Sequence, residues 1–335
     1  MKASDSMAMM TVAETPVAHG VGIGDGIVNV NKPAGWTSHD VVVKIRGLLK
    51  GPKVGHAGTL DPAATGVLPI LVGRGTRIAE YLLEWDKEYR AVLRLGQATD
   101  TQDATGTVLA THPIDGLTDE KIRAAVASFR GKIAQVPPMY SAVKVAGTPL
   151  YKSARAGKTV EREPRAVEIH ELDVLGITGS DVMLRVRCSK GTYVRTLCAD
   201  IGGALGVGGH LLSLERTRVG PLTVERALTL DEVGARMLAG RLADEVLSLD
   251  AALEMMPAVV VDERMAERVR HGAAVPAGAG RWAAAHHGMS TAVRVKDVAG
   301  RLLAVGSLPS ESTAGDTVPG IAIDKVLVDV DTVTK

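Results

Sequence analysis

Strand-like and helix-like stretches alternate along this chain without the regular strand–helix–strand rhythm of a doubly wound parallel sheet, which favours an α+β fold. Gly26-Ile27-Val28-Asn29-Val30-Asn31 reads as a strand, stopped by Lys32-Pro33-Ala34-Gly35. Ser38 is placed to cap a helix whose Val41, Ile45, Leu48 and Leu49 share one face. A glycine-rich loop spans residues 55–66, and the apolar run over residues 67–72 has the character of a buried strand. A helix is expected over residues 77–85. Tyr89, Ala91, Leu93 and Leu95 then alternate with Glu88, Arg90, Val92 and Arg94, an imperfect strand period of two. Ile122, Val126 and Phe129 keep helical spacing after Thr118. Val182, Leu184, Val186 and Cys188 alternate as a strand, and residues 192–201 read as a helix ending at Gly202-Gly203. Further helix is expected from about residue 230 to 249.

A chain of 335 residues is longer than one typical domain, so two are expected. Residues 1–25 are small, polar and glycine-rich and read as a disordered leader. Residues 26–257 form the first domain. Near Pro257 the pattern changes to short strands, at 258–261, 292–295, 302–305 and 325–330, around one helix at 263–270. Residues 258–335 are therefore expected to form a second, β-rich domain. An apolar content of 46% against 23% charged is that of a soluble globular protein with a sizeable core. No apolar run has the length of a membrane span, and the first residues lack the apolar stretch of a secretion signal. Cys188 and Cys198 form no CxxC pair, which argues against a disulfide framework or a cysteine zinc site and suits a reducing cytoplasm. HExxH and the phosphate-loop motif are absent.

Net charge is +1, so any affinity for a polyanion must lie in how charge is distributed. Residues 121–165 carry Lys121, Arg123, Arg130, Lys132, Lys144, Lys152, Arg155, Lys158, Arg162 and Arg165, opposed only by Glu161 and Glu163. A second basic stretch holds Arg185, Arg187, Lys190, Arg195, Arg216 and Arg218. Local basic surface of this kind can neutralise phosphates, although ordinary solvated faces carry such charge as well. Residues 135–165 keep no steady period, hold four prolines and read as a long, basic, irregular excursion.

The loop at 55–66 places His56 and Asp61 together between a helix and a buried strand, with glycines that permit tight turns and close approach of a ligand. Asp61-Pro62 alone is also a common turn pairing, and a single loop histidine is a common surface residue. The whole word Gly55-His56-Ala57-Gly58-Thr59-Leu60-Asp61-Pro62, with Ala64-Thr65-Gly66, resembles the catalytic loop of the TruB family of tRNA pseudouridine synthases. The resemblance continues at Asn31-Lys32-Pro33-Ala34-Gly35, at Lys87-Glu88-Tyr89-Arg90 and at Leu95-Gly96-Gln97-Ala98-Thr99-Asp100-Thr101. It extends through residues 135–144 and through Cys188-Ser189-Lys190-Gly191-Thr192-Tyr193-Val194-Arg195-Thr196-Leu197. Ala57 and Ala63 stand where other members often carry Thr and a larger aliphatic residue, and neither change touches a polar catalytic position.

The resemblance implies a pseudouridine-synthase fold, with a mixed, mainly antiparallel sheet flanked by helices and loops and a small PUA-like C-terminal domain. It implies isomerisation of the T-loop uridine at tRNA position 55, with no metal or cofactor. Asp61 is then the essential carboxylate and Arg195 the cation beside it. Tyr89 stacks on the flipped uracil and is the candidate for proton transfer at C5, with Tyr193 near the same pocket. His56 helps to displace the target base, and Lys32 has either a structural role beside the pocket or an RNA contact. Residues 135–165 correspond to an RNA-gripping insertion in which Lys144, Lys152, Arg155 and Lys158 meet phosphates of the T-arm. The implied partner is tRNA alone, with the protein monomeric, cytoplasmic, off the membrane and without an obligatory protein partner. Two rivals stand beside this reading: a guide-dependent, dyskerin-type synthase and an RNA-binding folding factor.

Overall fold

The computed structural model describes residues 23–141, 143–145, 147–158, 160–283, 291–309 and 318–329. Its first strands are β1 (Gly26–Lys32), β2 (Val54–His56), β3 (Thr65–Val72) and β4 (Lys87–Leu95), with α1 (Ser38–Leu49) and α2 (Ala79–Leu83) between them. The short pair β5 (Gln97–Thr99) and β6 (Val108–Thr111) leads to α3 (Asp119–Ala127) and β7 (Gly131–Gln135). A hairpin of β8 (Lys144–Val145) and β9 (Thr148–Pro149) precedes α4 (Leu150–Arg155), so the segment read as irregular contains local order. The long hairpin β10 (Arg165–Thr178) and β11 (Asp181–Cys188) enters α5 (Val194–Ala204) and β12 (Gly209–Val219). After them come β13 (Leu222–Thr223), α6 (Leu230–Leu238), β14 (Val246–Leu247) and α7 (Leu249–Ala252).

One sheet, ordered β14-β1-β3-β12-β4-β11-β10-β7, runs through this part of the molecule. Its neighbours are antiparallel except for β12 and β3, which meet in parallel at Glu215–Thr65 and Arg216–Gly66. The sheet is mixed and mainly antiparallel, and the α+β expectation holds. Its two halves are built differently. Val28, Val30, Leu68 and Ile70 pack under α1 and α6, while Ile27, Val67 and Leu71 face the opposite way onto α2. That half is covered on both sides, which is why residues 67–72 are apolar without interruption. In the other half, Ala91, Leu93, Leu184 and Val186 meet α3 and α5, and the reverse face is charged.

Several local expectations are corrected. Thr37, not Ser38, caps α1, in a capping box with Asp40, and Ser38 is buried. The helix expected over 77–85 is present as the shorter α2, preceded by a 3-10 turn at Gly73–Ile78. Helix α5 runs through Gly202-Gly203 rather than ending there. A Cβ on Gly202 would lie 2.3 Å from the Gly209 amide, so this glycine admits β12 against the helix. Of the leader expected over 1–25, residues 23–25 are packed: Ile23 is buried and Asp25 pairs with Arg74. Residues 1–22 lie outside the described residues.

Beyond Pro257, β15 (Ala258–Val261), helix α8 (Glu263–Arg270), β16 (Gly280–Trp282), β17 (Ala292–Lys296), β18 (Leu302–Ser307) and β19 (Ala322–Val326) form a second sheet, ordered β16-β15-β17-β18-β19. Asp262 caps α8, whose Met265, Ala266 and Val269 fill the core of this unit. Val305 and Leu327 instead join the cluster of Ile78 and Leu82, so the two sheets share buried surface through α2. Arg77 donates to the Val326 carbonyl and Lys325 pairs with Glu80 across the same seam. No helix among the described residues is long and apolar enough to cross a membrane.

Candidate active site

Asp61 lies in the loop between β2 and β3, and the backbone on both sides of it is tied to buried side chains. The Ser38 hydroxyl accepts from the Leu60 amide at 2.9 Å and lies 3.2 Å from the Leu60 carbonyl. Lys32, fully buried, donates through Nζ to the carbonyls of Pro33, Trp36 and Pro62 at 2.9, 2.7 and 3.1 Å. The Pro62 carbonyl also accepts from the Gly35 amide. On the other limb, Arg216 donates to the Gly58 carbonyl at 3.0 Å and reaches that of Thr59 at 3.4 Å. Gly66 closes the loop with φ of 102°, and a Cβ there would lie 2.2 Å from the Arg216 carbonyl, so only glycine fits. The carboxylate is thereby held in place before any ligand arrives.

Arg195, in the first turn of α5, supplies the cation that faces it. Its Nε lies 2.9 Å from Asp61 Oδ2, but the N–H is not aimed at that oxygen, so the contact is an ion pair rather than an aligned hydrogen bond. Nη2 donates to the Tyr140 carbonyl at 2.8 Å and reaches Asp61 Oδ1 at 3.4 Å. The Arg195 side chain is 5% exposed and that of Asp61 42%, so a shielded guanidinium sits behind an accessible carboxylate. Burial pushes the Asp61 carboxyl above the ordinary range and the Asp103 carboxylate adds to the rise, while Arg195 and Lys32 oppose it. Asp103 Oδ2 is 3.8 Å from Arg195 Nη1, and hydroxyls of Thr101 and Thr105 donate to its other oxygen.

Tyr89, on β4, is buried with 9% of its surface exposed. Burial pushes its phenol up to about 12, with the nearby Arg216 guanidinium opposing the rise, so it is neutral near pH 7. His56, at the end of β2, is half-buried, and its Nδ1 has no hydrogen-bond partner among the described residues. Burial, then Arg216 and His39, hold the imidazole below its usual pKa. Tyr193 is the residue before α5, and both its backbone amide and its carbonyl are held by the buried Gln135 side chain. The insertion therefore starts from a point fixed against the helix that carries Arg195.

Of Asp61, Tyr89, Arg195, His56 and Tyr193, the fold joins Asp61 directly to Arg195 and sets Tyr89 and His56 near Arg216, while Tyr193 precedes Arg195 on the chain. Lys32 comes to the same place from the inside. Its ammonium is spent on three carbonyls, and burial lowers it to about 8. These bonds give Lys32 a tie to the backbone beside Asp61. Lys152 and Lys158 are exposed on and after α4, away from any carboxylate partner among the described residues. Lys144 and Arg155 lie in β8 and α4, and their side chains lie outside the described set.

The second basic stretch is corrected. Arg185 pairs with Glu88 and Glu171, Arg187 with Glu171, Lys190 with Glu84 and Arg218 with Glu88. With Arg195 and Arg216 buried, that stretch offers no unpaired cationic surface. Ser38, Gln135, Asp103 and Arg216 were missed as site residues. Only their long-range partners reveal them, and nothing in their local sequence does. An open groove of about 590 Å³, lined by Asn31, Lys32, Trp36, Lys44, Thr65 and Glu215 among others, does not include Asp61, Tyr89 or Arg195.

A family model described as TruB family pseudouridylate synthase (N terminal domain) matches residues 46–194. A second, described as tRNA pseudouridylate synthase B C-terminal domain, matches residues 195–256. Their border falls inside α5, so both lie within the first sheet and its helices, and the sheet beyond Pro257 follows them. The protein of Thermobifida fusca (strain YX) named tRNA pseudouridine synthase B is 48% identical over 75% of this chain and 86% of its own. That of Burkholderia mallei (strain NCTC 10247) is 48% identical over 84% of this chain and 92% of its own. Among solved structures, a Cbf5-Nop10-Gar1 complex aligns with a TM-score of 0.70 at 32% identity, covering 92% of this chain and 87% of that one. An H/ACA RNP bound to a substrate RNA containing 2'-deoxyuridine aligns at 0.68 and 30%, covering 91% and 86%. With family models matching residues 46–256 and 48% identical relatives covered to 86% and 92% of their length, the chain belongs to the TruB family of pseudouridylate synthases.

Proposed function

We propose that this protein isomerises the T-loop uridine at position 55 of tRNA to pseudouridine, with Asp61 as the essential carboxylate. The observation that carries this reading is an accessible carboxylate on a pinned loop, 2.9 Å from the buried Arg195 guanidinium. The reaction breaks the C1′–N1 bond, turns the uracil in the site, joins C5 to C1′ and removes the C5 proton, while the freed N1 takes up one proton. It neither gains nor loses electrons and consumes no water. A side chain cannot reach a uridine stacked within folded RNA, so the nucleotide is extruded at a cost of about a few kcal/mol. Arg195 favours the ionised form of Asp61 against the burial that raises it. A carboxylate so placed can form a covalent intermediate at a sugar carbon, attack the base, or remove a sugar proton, and the same geometry serves all three.

Tyr89 supplies an aromatic face and a neutral phenol to the flipped base, and acts in proton transfer at C5. His56 and Tyr193 border the pocket as contacts for the displaced base. The insertion, with Lys144, Lys152, Arg155 and Lys158, grips phosphates of the T-arm without reading sequence. Specificity then follows from the shape of the RNA loop and its splayed bases. The C-terminal sheet is a PUA-like RNA-binding unit. A self-contained grip favours action on tRNA without a guide or protein partner, as do 48% identical relatives named tRNA pseudouridine synthase B.

An unmodified tRNA transcript incubated with wild type and with Asp61→Asn tests the reading by mapping pseudouridine. Wild type is expected to modify position 55, and the variant to bind the RNA equally while forming no product. Product from the variant, or tight binding by wild type without turnover, overturns it.

A further inference from the structure

The sheet order puts one more charged group between the Asp61 loop and Tyr89. Arg216 lies on β12, which is flanked by β3 on one edge and β4 on the other; its Cα partners are Gly66 and Tyr89. The residue is 2% exposed. Its Nε donates to the Val67 carbonyl at 2.7 Å, Nη2 to that of Gly58 at 3.0 Å, and Nη1 reaches that of Thr59 at 3.4 Å. The same guanidinium lies beside the Tyr89 phenol, close enough for each to bear on the other's charge. Among the described residues no carboxylate forms an ion pair with it. A charge buried without a counter-ion is costly, and a purely structural tie between strands needs no charge at all.

We propose that Arg216 is a positioning residue: it holds the Gly58-Thr59 limb of the loop and the Tyr89 ring in one frame, so that Asp61 and Tyr89 address the same uridine. Arg195 meets the carboxylate itself, from α5. Arg216 works from the opposite side through backbone carbonyls and the phenol, and it leaves the RNA to other residues. Its charge also stabilises any phenolate character that develops on Tyr89 while the C5 proton moves. The close approach at Gly66 fixes the Arg216 backbone against the end of the loop, so the guanidinium starts from an anchored point.

This inference rests on the reaction proposed above, and the two are separated by one set of assays. Arg216→Met and Arg216→Lys are compared with wild type and Asp61→Asn on an unmodified tRNA transcript. Each is assayed at a temperature where circular dichroism shows it folded, with rates normalised to the folded fraction. The methionine variant is expected to lose kcat by about 10²-fold, as for a misplaced catalytic group, with KM and RNA affinity unchanged. The lysine variant, which keeps the charge but spans fewer carbonyls, falls between. A structural role alone would lower the melting temperature and leave the normalised kcat at the wild-type value, which overturns the inference. If the methionine variant does not fold, the lysine variant decides by the same split between kcat and KM. Wild type without product defeats the proposed reaction; wild type with product and a full-rate Arg216→Lys or Arg216→Met defeats only this inference.

Discussion

The loop at 55–66 and the insertion at 135–165 both serve the same proposed substrate, yet they are built on opposite principles. In the loop, Ser38, Lys32 and Arg216 reach in from α1, β1 and β12 to hold the backbone on both sides of Asp61. The insertion is tied at its start by Gln135 and then projects a two-residue hairpin and a short helix with exposed lysines. Bond-breaking depends on fixed geometry and shielded charge, whereas phosphate contact depends on reach and tolerates looseness. Changes in the loop should therefore alter rate, and changes in the insertion should alter binding.

The sharpest break in that contrast would come from Arg195→Met, which leaves the Asp61 carboxylate without its counter-ion. Single-turnover assays are expected to show about 10²–10³-fold slower isomerisation, the scale for removing one preorganised charge contact. Tight-binding measurements should show RNA affinity intact; a variant that binds poorly and reacts normally would reverse the assignment. Ser38→Ala removes both bonds to Leu60 and should cost about 1–3 kcal/mol in chemical denaturation, with a lower kcat and unchanged KM. A loss confined to stability would show that the loop tolerates slack.

For the insertion, the double change Lys152→Ala with Lys158→Ala should leave kcat alone and lower the salt slope of RNA binding by about 1 per lysine. An unchanged slope in filter binding across salt concentrations would remove that surface from the interface. The smallest effect concerns pH. Burial and Asp103 raise the Asp61 carboxyl, so the ionised form is lost at a higher pH than for an ordinary aspartate. Activity should fall on acidification from above the usual carboxylate range. Asp103→Asn removes one cause of the rise and should move that acid limb to lower pH; a limb that stays put would disconnect Asp103 from the site.

What could be read from the sequence was local. Residues 67–72 announced a covered strand because every position meets apolar neighbours, and Tyr89 fell on the inward face of an alternating strand. The resemblance named Asp61 and Arg195. Strands β10 and β12 went unread because bulges reset their alternation, between Ile169 and Glu171 and between Val174 and Gly176 in one, and after Leu211 and Arg216 in the other. Counting basic residues failed for 185–218 because their partners, Glu84, Glu88 and Glu171, lie on neighbouring strands or turns. Arg216 was invisible as a site residue for the same reason. Its role exists only where β3, β12 and β4 lie side by side, with more than a hundred residues of chain between β4 and β12.

The seam at α2 carries a further consequence. Val305 and Leu327 complete a core begun by Ile78 and Leu82, and Arg77 and Lys325 stitch its rim. The terminal sheet thus shares a core with the first instead of hanging from a linker. On the proposed function, a nucleotide meeting the terminal sheet would lie at a distance from Asp61 set by this shared core.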